Sequence, residues 1–139
     1  MTSPERPAPP QLPLGLEGRF EKIVPREWTL ASFDPTLPPV FSTPAMIGMM
    51  EGAAAGAVRP HLPPGFITVG TRIEVDHLKA VTTGARVIAT ARLIAQDRRF
   101  LTFEVEARSG DTIIGRGKVF RAIVHHESFE SKASSRANS

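Results

Sequence analysis

The chain has no cysteine, which removes disulfides, thiol nucleophiles and cysteine-ligated zinc in one step. It also lacks a basic run interleaved with aromatics. Its net charge of +3 is modest and its Lys and Arg are scattered, so a nucleic-acid surface is not expected. The longest apolar stretch, residues 41–60, is interrupted by Gly48, Gly52 and Gly56 and bounded by prolines, and reads poorly as a membrane span. Residues 1–15 have no apolar core of the signal-peptide kind, so a cytoplasmic protein is expected. Pro4, Pro7, Pro9, Pro10 and Pro13 in that stretch predict an extended, poorly ordered arm. There is no internal repeat. With 139 residues, 41% hydrophobic and 22% charged, the chain is long enough for one soluble domain with a substantial core.

The rest is organised around residues 41–60. Thr43 suits an N-cap, where its hydroxyl would accept from a first-turn N–H, and Pro44 suits the first helical position. Arg59 and Pro60 end the helix. Glu51 is its one charged residue before Arg59. A helix apolar all round is a buried helix, so Glu51 is expected at least partly inside the protein. A carboxylate there needs a partner, or its pKa rises. Neither Ile47 nor Ala55, one turn away, can serve, which leaves Arg59 or another arginine. The Gly48/Gly52/Gly56 spacing resembles a small-residue packing face.

Around the helix the pattern is extended. Residues 17–24 predict a first strand and 28–33 a short extended piece, followed by a proline-rich loop over 34–39 that could cover a binding site. After the turn at 61–65 the period becomes two. Ile67, Val69, Thr71, Ile73, Val75 and His77 share one face, with Arg72, Glu74 and Asp76 on the other. Further strands alternate through Val87–Ala95, Leu101–Ala107 and residues 112–124, where Gly115 and Gly117 suggest a bulge or a close backbone approach. The polar residues 130–139 predict a disordered tail, leaving one domain over 16–129. The class is α+β, an antiparallel sheet curled around a single long helix.

That order resembles the hotdog fold. Phe41-Ser42-Thr43-Pro44 followed by Met46-Ile47-Gly48-Met49-Met50-Glu51 is similar to the helix entry of the fluoroacetyl-CoA thioesterase family. Gly70-Thr71 with His77 resembles that family's central strand, and Arg121-Ala122-Ile123-Val124-His125 its last strand. The likeness runs from about residue 13 to residue 129. It implies a catalytic set of Thr43, Glu51 and His77, acyl-group binding by Gly70 and Arg121, and a homodimer with acyl-CoA at the subunit interface. Pairing of dimers into tetramers stays open. Phenylalanines line the lid of the family's fluoroacetyl-selective member; the aligned positions here are Asp34 and Leu37. A broader acyl-CoA thioesterase is therefore expected.

Each candidate also has an ordinary reading. Thr-Pro at a helix start is a common cap, although a capping hydroxyl beside free N–H groups also suits an oxyanion. His77 could be a satisfied core histidine, yet its face-sharing with Val75 and Ile73 favours a buried imidazole poised for proton transfer. His125 and His126 point to opposite faces of a strand and lack a third ligand, so no metal is expected. The inward face of the last strand is open, and with it the role of Arg121. On this reading the chain hydrolyses an acyl-CoA thioester, with CoA arriving as part of the substrate and no other cofactor. Glu51 attacks or activates water, His77 acts as acid and base, and Thr43 polarises the carbonyl. Two rivals remain. An acyl-CoA hydratase or dehydratase usually carries Asp and His near the helix start, where this chain has Thr43-Pro44. A non-catalytic acyl-CoA-binding protein would bind without turnover.

Overall fold

The computed structural model describes residues 7–137. A five-stranded antiparallel sheet runs in the order β1-β3-β4-β5-β2, with β1 at Glu17–Ile23, β2 at Phe66–His77, β3 at Arg86–Asp97, β4 at Phe100–Ser109 and β5 at Thr112–His125. It curls around helix α1, Thr43–Val58, as the hotdog resemblance implied. Met46, Met49, Met50, Ala53, Ala54, Ala57 and Val58 bury one face of α1 against Val87, Ala89, Leu93, Leu101, Phe103 and Val119 of the sheet. Burial of each large apolar side chain contributes about 1.5–3 kcal/mol. The helix sits closest to β1, where a side chain at Gly18 would bring its Cβ to 1.9 Å from the Ala53 carbonyl.

The helix is not buried all round. Pro44, Gly48 and Gly56 are exposed and Gly52 and Ala55 half-buried, so one face of small residues is open in the single chain.

One loop expectation changes. Trp28–Phe33 is not extended but folds into two 3₁₀ turns, Arg26–Trp28 and Leu30–Ser32. Hydroxyls explain the difference: Thr29 Oγ1 donates to the Arg26 carbonyl (2.7 Å) and Ser32 Oγ to the Thr29 carbonyl (2.7 Å), closing local turns in place of a ladder. Asp34 then accepts from the Thr36 N–H and hydroxyl, which holds its pKa below the usual carboxylate value.

The described parts of the expected disordered arm and tail, residues 7–15 and 130–137, carry structure. The structure does not describe residues 1–6 or 138–139. Within the arm, Leu12 is buried, its N–H donates to Gln96 Oε1 (2.9 Å), and Gln96 Nε2 donates to the Pro10 carbonyl (2.9 Å). One amide side chain of β3 thus pins a segment whose prolines cannot supply their own donors. At the other end His126–Ala137 forms helix α2, with Glu127 in the first turn and Arg136 in the last, the charge order that complements a helix dipole. Among the described residues no helix is long and apolar enough to cross a membrane.

The alternation along β2 breaks once. Gly70 pairs with Arg121 and Arg72 with Phe120, so Thr71 is a bulge. Ile73, Val75 and His77 face α1 as expected. Before the bulge the phase is inverted, and Phe66, Thr68 and Gly70 face inward instead of Ile67, Val69 and Thr71. Arg72, Glu74 and Asp76 stay exposed. Gly115 and Gly117 in β5 do mark close approaches: a Cβ at Gly115 would lie 2.4 Å from Met46 Sδ and one at Gly117 2.1 Å from the Glu74 carbonyl.

Candidate active site

Two polar clusters interrupt the apolar interior. The first is at the start of α1. Ser42, not Thr43, is the N-cap, accepting from the Ala45 N–H at 3.3 Å. Thr43 is the first helical residue, and its hydroxyl is free to bond His77 Nδ1 at 2.8 Å. Met46 N–H donates to the Ser42 carbonyl (3.1 Å) and Pro44 has no N–H. Of the first-turn donors expected to suit an oxyanion, that leaves the N–H of Thr43 itself. The His77 ring meets Phe41 edge-on, centroids 6.3 Å apart. Its Nε2 is buried and has no hydrogen-bond partner among the described residues. Burial lowers the His77 pKa, opposed by a backbone hydrogen bond at Lys79, so the imidazole favours its neutral form. A neutral ring with a hydroxyl on one nitrogen can take up a proton on reaction.

The second cluster joins the middle of α1 to the sheet. Arg121 projects inward from β5 and is 7% exposed. Its Nη1 donates to Glu51 Oε2 (2.8 Å), its Nε to Thr68 Oγ1 (3.0 Å) and its Nη2 to the Thr68 carbonyl (2.9 Å). Burial lowers the Arg121 pKa while Glu51 raises it. Arg121 is thus the partner that Glu51 required, and the last strand's inward face is settled. The Glu51 side chain keeps 34% of its surface exposed. Gly70 makes the packing possible, because a Cβ there would lie 2.7 Å from Glu51 Oε2.

The structure therefore brings Thr43 to His77, and Glu51 to Gly70 and Arg121. It does not bring the two groups together within one chain. Thr43 and Glu51 are eight residues apart on one helix, about 12 Å along its axis. Sequence reasoning missed Thr68, which stood on the wrong face until the bulge re-phased β2. It also missed Ser42, although serine outranks threonine as a cap and was there to be read. His125 and His126 do not form a pair: His125 packs edge-on to Phe66 and His126 lies 3.4 Å from Glu130.

A family profile for fluoroacetyl-CoA-specific thioesterases matches residues 24–127, which span both clusters. The chain belongs to this family. The fluoroacetyl-CoA thioesterase of Streptantibioticus cattleyicolor is 41% identical over 95 residues, 68% of either chain. A structure of a point mutant of the fluoroacetyl-CoA thioesterase FlK in complex with acetyl-CoA superposes with a TM-score of 0.85 at 33% identity, covering 90% of this chain and 98% of that one. A thioesterase superfamily member from Thermus thermophilus gives a TM-score of 0.85 at 27% identity, covering 92% and 95%. A hot-dog-like protein from Thermanaerovibrio acidaminovorans gives 0.81 at 25%, covering 89% and 92%. The hotdog architecture of this family member is thus shared with these structures.

Proposed function

We propose that the protein is an acyl-CoA thioesterase of broader acyl range than its fluoroacetyl-selective relative, acting as a homodimer. The observation that carries this reading is the placement of Glu51. It is a part-exposed carboxylate on a helix with no other charge, oriented by Arg121 and admitted by Gly70. In this scheme Glu51 attacks the thioester carbonyl or activates the water that does, and His77 supplies and removes the proton. The Thr43 hydroxyl, bonded to His77, orients the carbonyl. The oxyanion is taken up by the Thr43 N–H or the Gly70 backbone. No cofactor is needed beyond the CoA of the substrate, and a cytoplasmic location follows from where acyl-CoA pools are held. The breadth rests on the lid: Asp34 is committed to Thr36 and Leu37 is half-open to solvent, where the selective relative has phenylalanines.

The homodimer reading draws on the separation of the two clusters, the unpaired outer edge of β2 and the open small-residue face of α1. A two-fold antiparallel pairing of β2 with its copy, centred on Glu74 and with Thr71 as the bulge, sets Gly70 of one subunit level with His77 of the other. Each site then takes Glu51 and Arg121 from one subunit and Thr43 and His77 from its partner.

The experiment is thiol release from acetyl, fluoroacetyl, short, long and aryl acyl-CoAs, with Glu51→Gln as control. Release from several esters, lost in Glu51→Gln with the fold intact, is expected. Retained activity in that variant removes Glu51 from the mechanism. Mixing inactive Glu51→Gln and His77→Ala proteins should restore on the order of a quarter of wild-type activity, since half of randomly exchanged dimers carry one intact shared site. No restoration argues against sites shared between subunits.

A further inference from the structure

Helix α2, arm residues 7–9 and one end of the β4–β5–β2 sheet enclose a cavity of about 560 Å³. Its lining has an uncommon composition. Phe66, Phe100 and Phe129 supply aromatic surface, and Arg99, Lys132 and Arg136 supply positive charge. Among the described residues none that lines it is acidic, although the chain has 14 Asp and Glu. Phe100 and Phe129 are 41% and 39% exposed, so their rings are incompletely covered by the protein's own core. The Arg99 guanidinium lies over Phe100, 5.1 Å from the ring centroid. Lys132 and Arg136 are one helical turn apart and so share a face of α2. Flat apolar surface framed by cations is the complement of a flat aromatic ligand that carries several negative charges.

The cavity also stands in a defined relation to the candidate site. Val69 and Thr71, which line it, flank Gly70 on β2, and Ala122, another wall, follows Arg121 on β5. It therefore lies across the β2–β5 ladder from the Glu51–Arg121 cluster. β2 begins at Phe66, beyond the Gly70–His77 stretch paired in the dimer reading, so a flexible arm can reach from one to the other around that strand end.

We propose that this cavity holds the 3′-phosphorylated adenine nucleotide end of coenzyme A. The phenylalanines receive the adenine, and Arg99 and Lys132 hold the phosphates. This rests on the thioesterase reading above and assigns α2 a function: it completes the nucleotide site with Phe129 and Lys132, which lie beyond the family match ending at residue 127.

The test compares wild type with an Arg99→Ala/Lys132→Ala double variant on two thioesters of the same acyl group, one of CoA and one of pantetheine, which lacks the nucleotide. Removing two charge-assisted contacts should raise KM for the CoA ester by on the order of tenfold or more, with KM for the pantetheine ester moving by less than about twofold. Adenosine 3′,5′-bisphosphate should compete with acyl-CoA in wild type and lose that effect in the variant. Unchanged KM for the CoA ester overturns the proposal, as does an equal rise for both esters, which would mark a structural role. If neither protein cleaves any thioester, the thioesterase reading fails separately. Calorimetric titration with the bisphosphate alone then decides the cavity: binding that the variant loses supports the site, and no binding to wild type overturns it.

Discussion

One methyl group at Gly70 would probe the candidate site directly. In Gly70→Ala the new Cβ would lie 2.7 Å from Glu51 Oε2 and 3.3 Å from its Cδ, where ordinary contact begins at 3.4 Å. The carboxylate must therefore retreat by about 0.7 Å, the difference between 3.4 and 2.7. Arg121 cannot follow freely, because Thr68 holds it through two hydrogen bonds. In the least favourable direction the 2.8 Å bond to Arg121 lengthens past the range of a good hydrogen bond. Water can replace part of it at a side chain this exposed, so about 1 kcal/mol of stability is at stake. Turnover should suffer more, since misplacing a reacting group by about 1 Å can cost on the order of 100-fold. We expect a folded protein with kcat reduced about 10- to 100-fold and KM little changed. The assay is steady-state thiol release, with thermal unfolding as the control for folding. Full activity in folded Gly70→Ala would refute the reasoning. Gross unfolding would also contradict it, because every overlapping atom belongs to the end of one flexible side chain.

Thr68→Val removes the acceptor of Arg121 Nε and should cost about 1 kcal/mol by chemical denaturation. It should also lower kcat more than it changes KM, and Thr68→Ser should restore most of the loss; equal activity in all three would limit Thr68 to a packing role. Ser42→Ala removes the helix cap and should cost about 1 kcal/mol, roughly 4 °C in Tm by scanning fluorimetry. An unchanged Tm would mean that Thr43 caps in its place. The His77 pKa is lowered below the ordinary 6.5, so the unfolded chain binds this proton more readily than the folded one. Stability should fall as pH drops through 6.5 toward the folded-state value, by an increment that His77→Gln abolishes. The acid limb of kcat/KM should likewise lie below pH 6.5; a limb above it would mean that the imidazole is charged at rest.

Much of this molecule is written in local pattern. The helix at 43–58, the sidedness of β3 and β4, and the isolation of Glu51 follow from periodicity and composition. Three things do not, two because they depend on contacts distant in sequence and one because adjacent residues compete for the same role. Arg121 has no intrinsic face until β5 pairs with β2. The arm is held at Pro10 and Leu12 by Gln96, more than eighty residues away. The threonine hydroxyl that reaches His77 is available because its neighbour Ser42 takes the cap, a choice between adjacent residues that propensity ranks only weakly. The polar stretch 130–139, which composition reads as a disordered tail, is helical as far as Ala137, with no apolar face to signal it.

The bulge at Thr71 has a consequence for how the chain can go wrong. Ile67, Val69, Thr71, Ile73 and Val75 are the most hydrophobic alternation available to β2, and a strand without the bulge would bury all of them. That competing register would bury more apolar side chain, but it would turn Thr68 and Gly70 to the outside and leave Arg121 and Glu51 without their seat. The native strand forgoes that packing to keep a working interior. Slippage of β2 against β5 by one residue is accordingly the most natural trap on the folding landscape of this protein, and a chain caught in it would be compact, well ordered and inert.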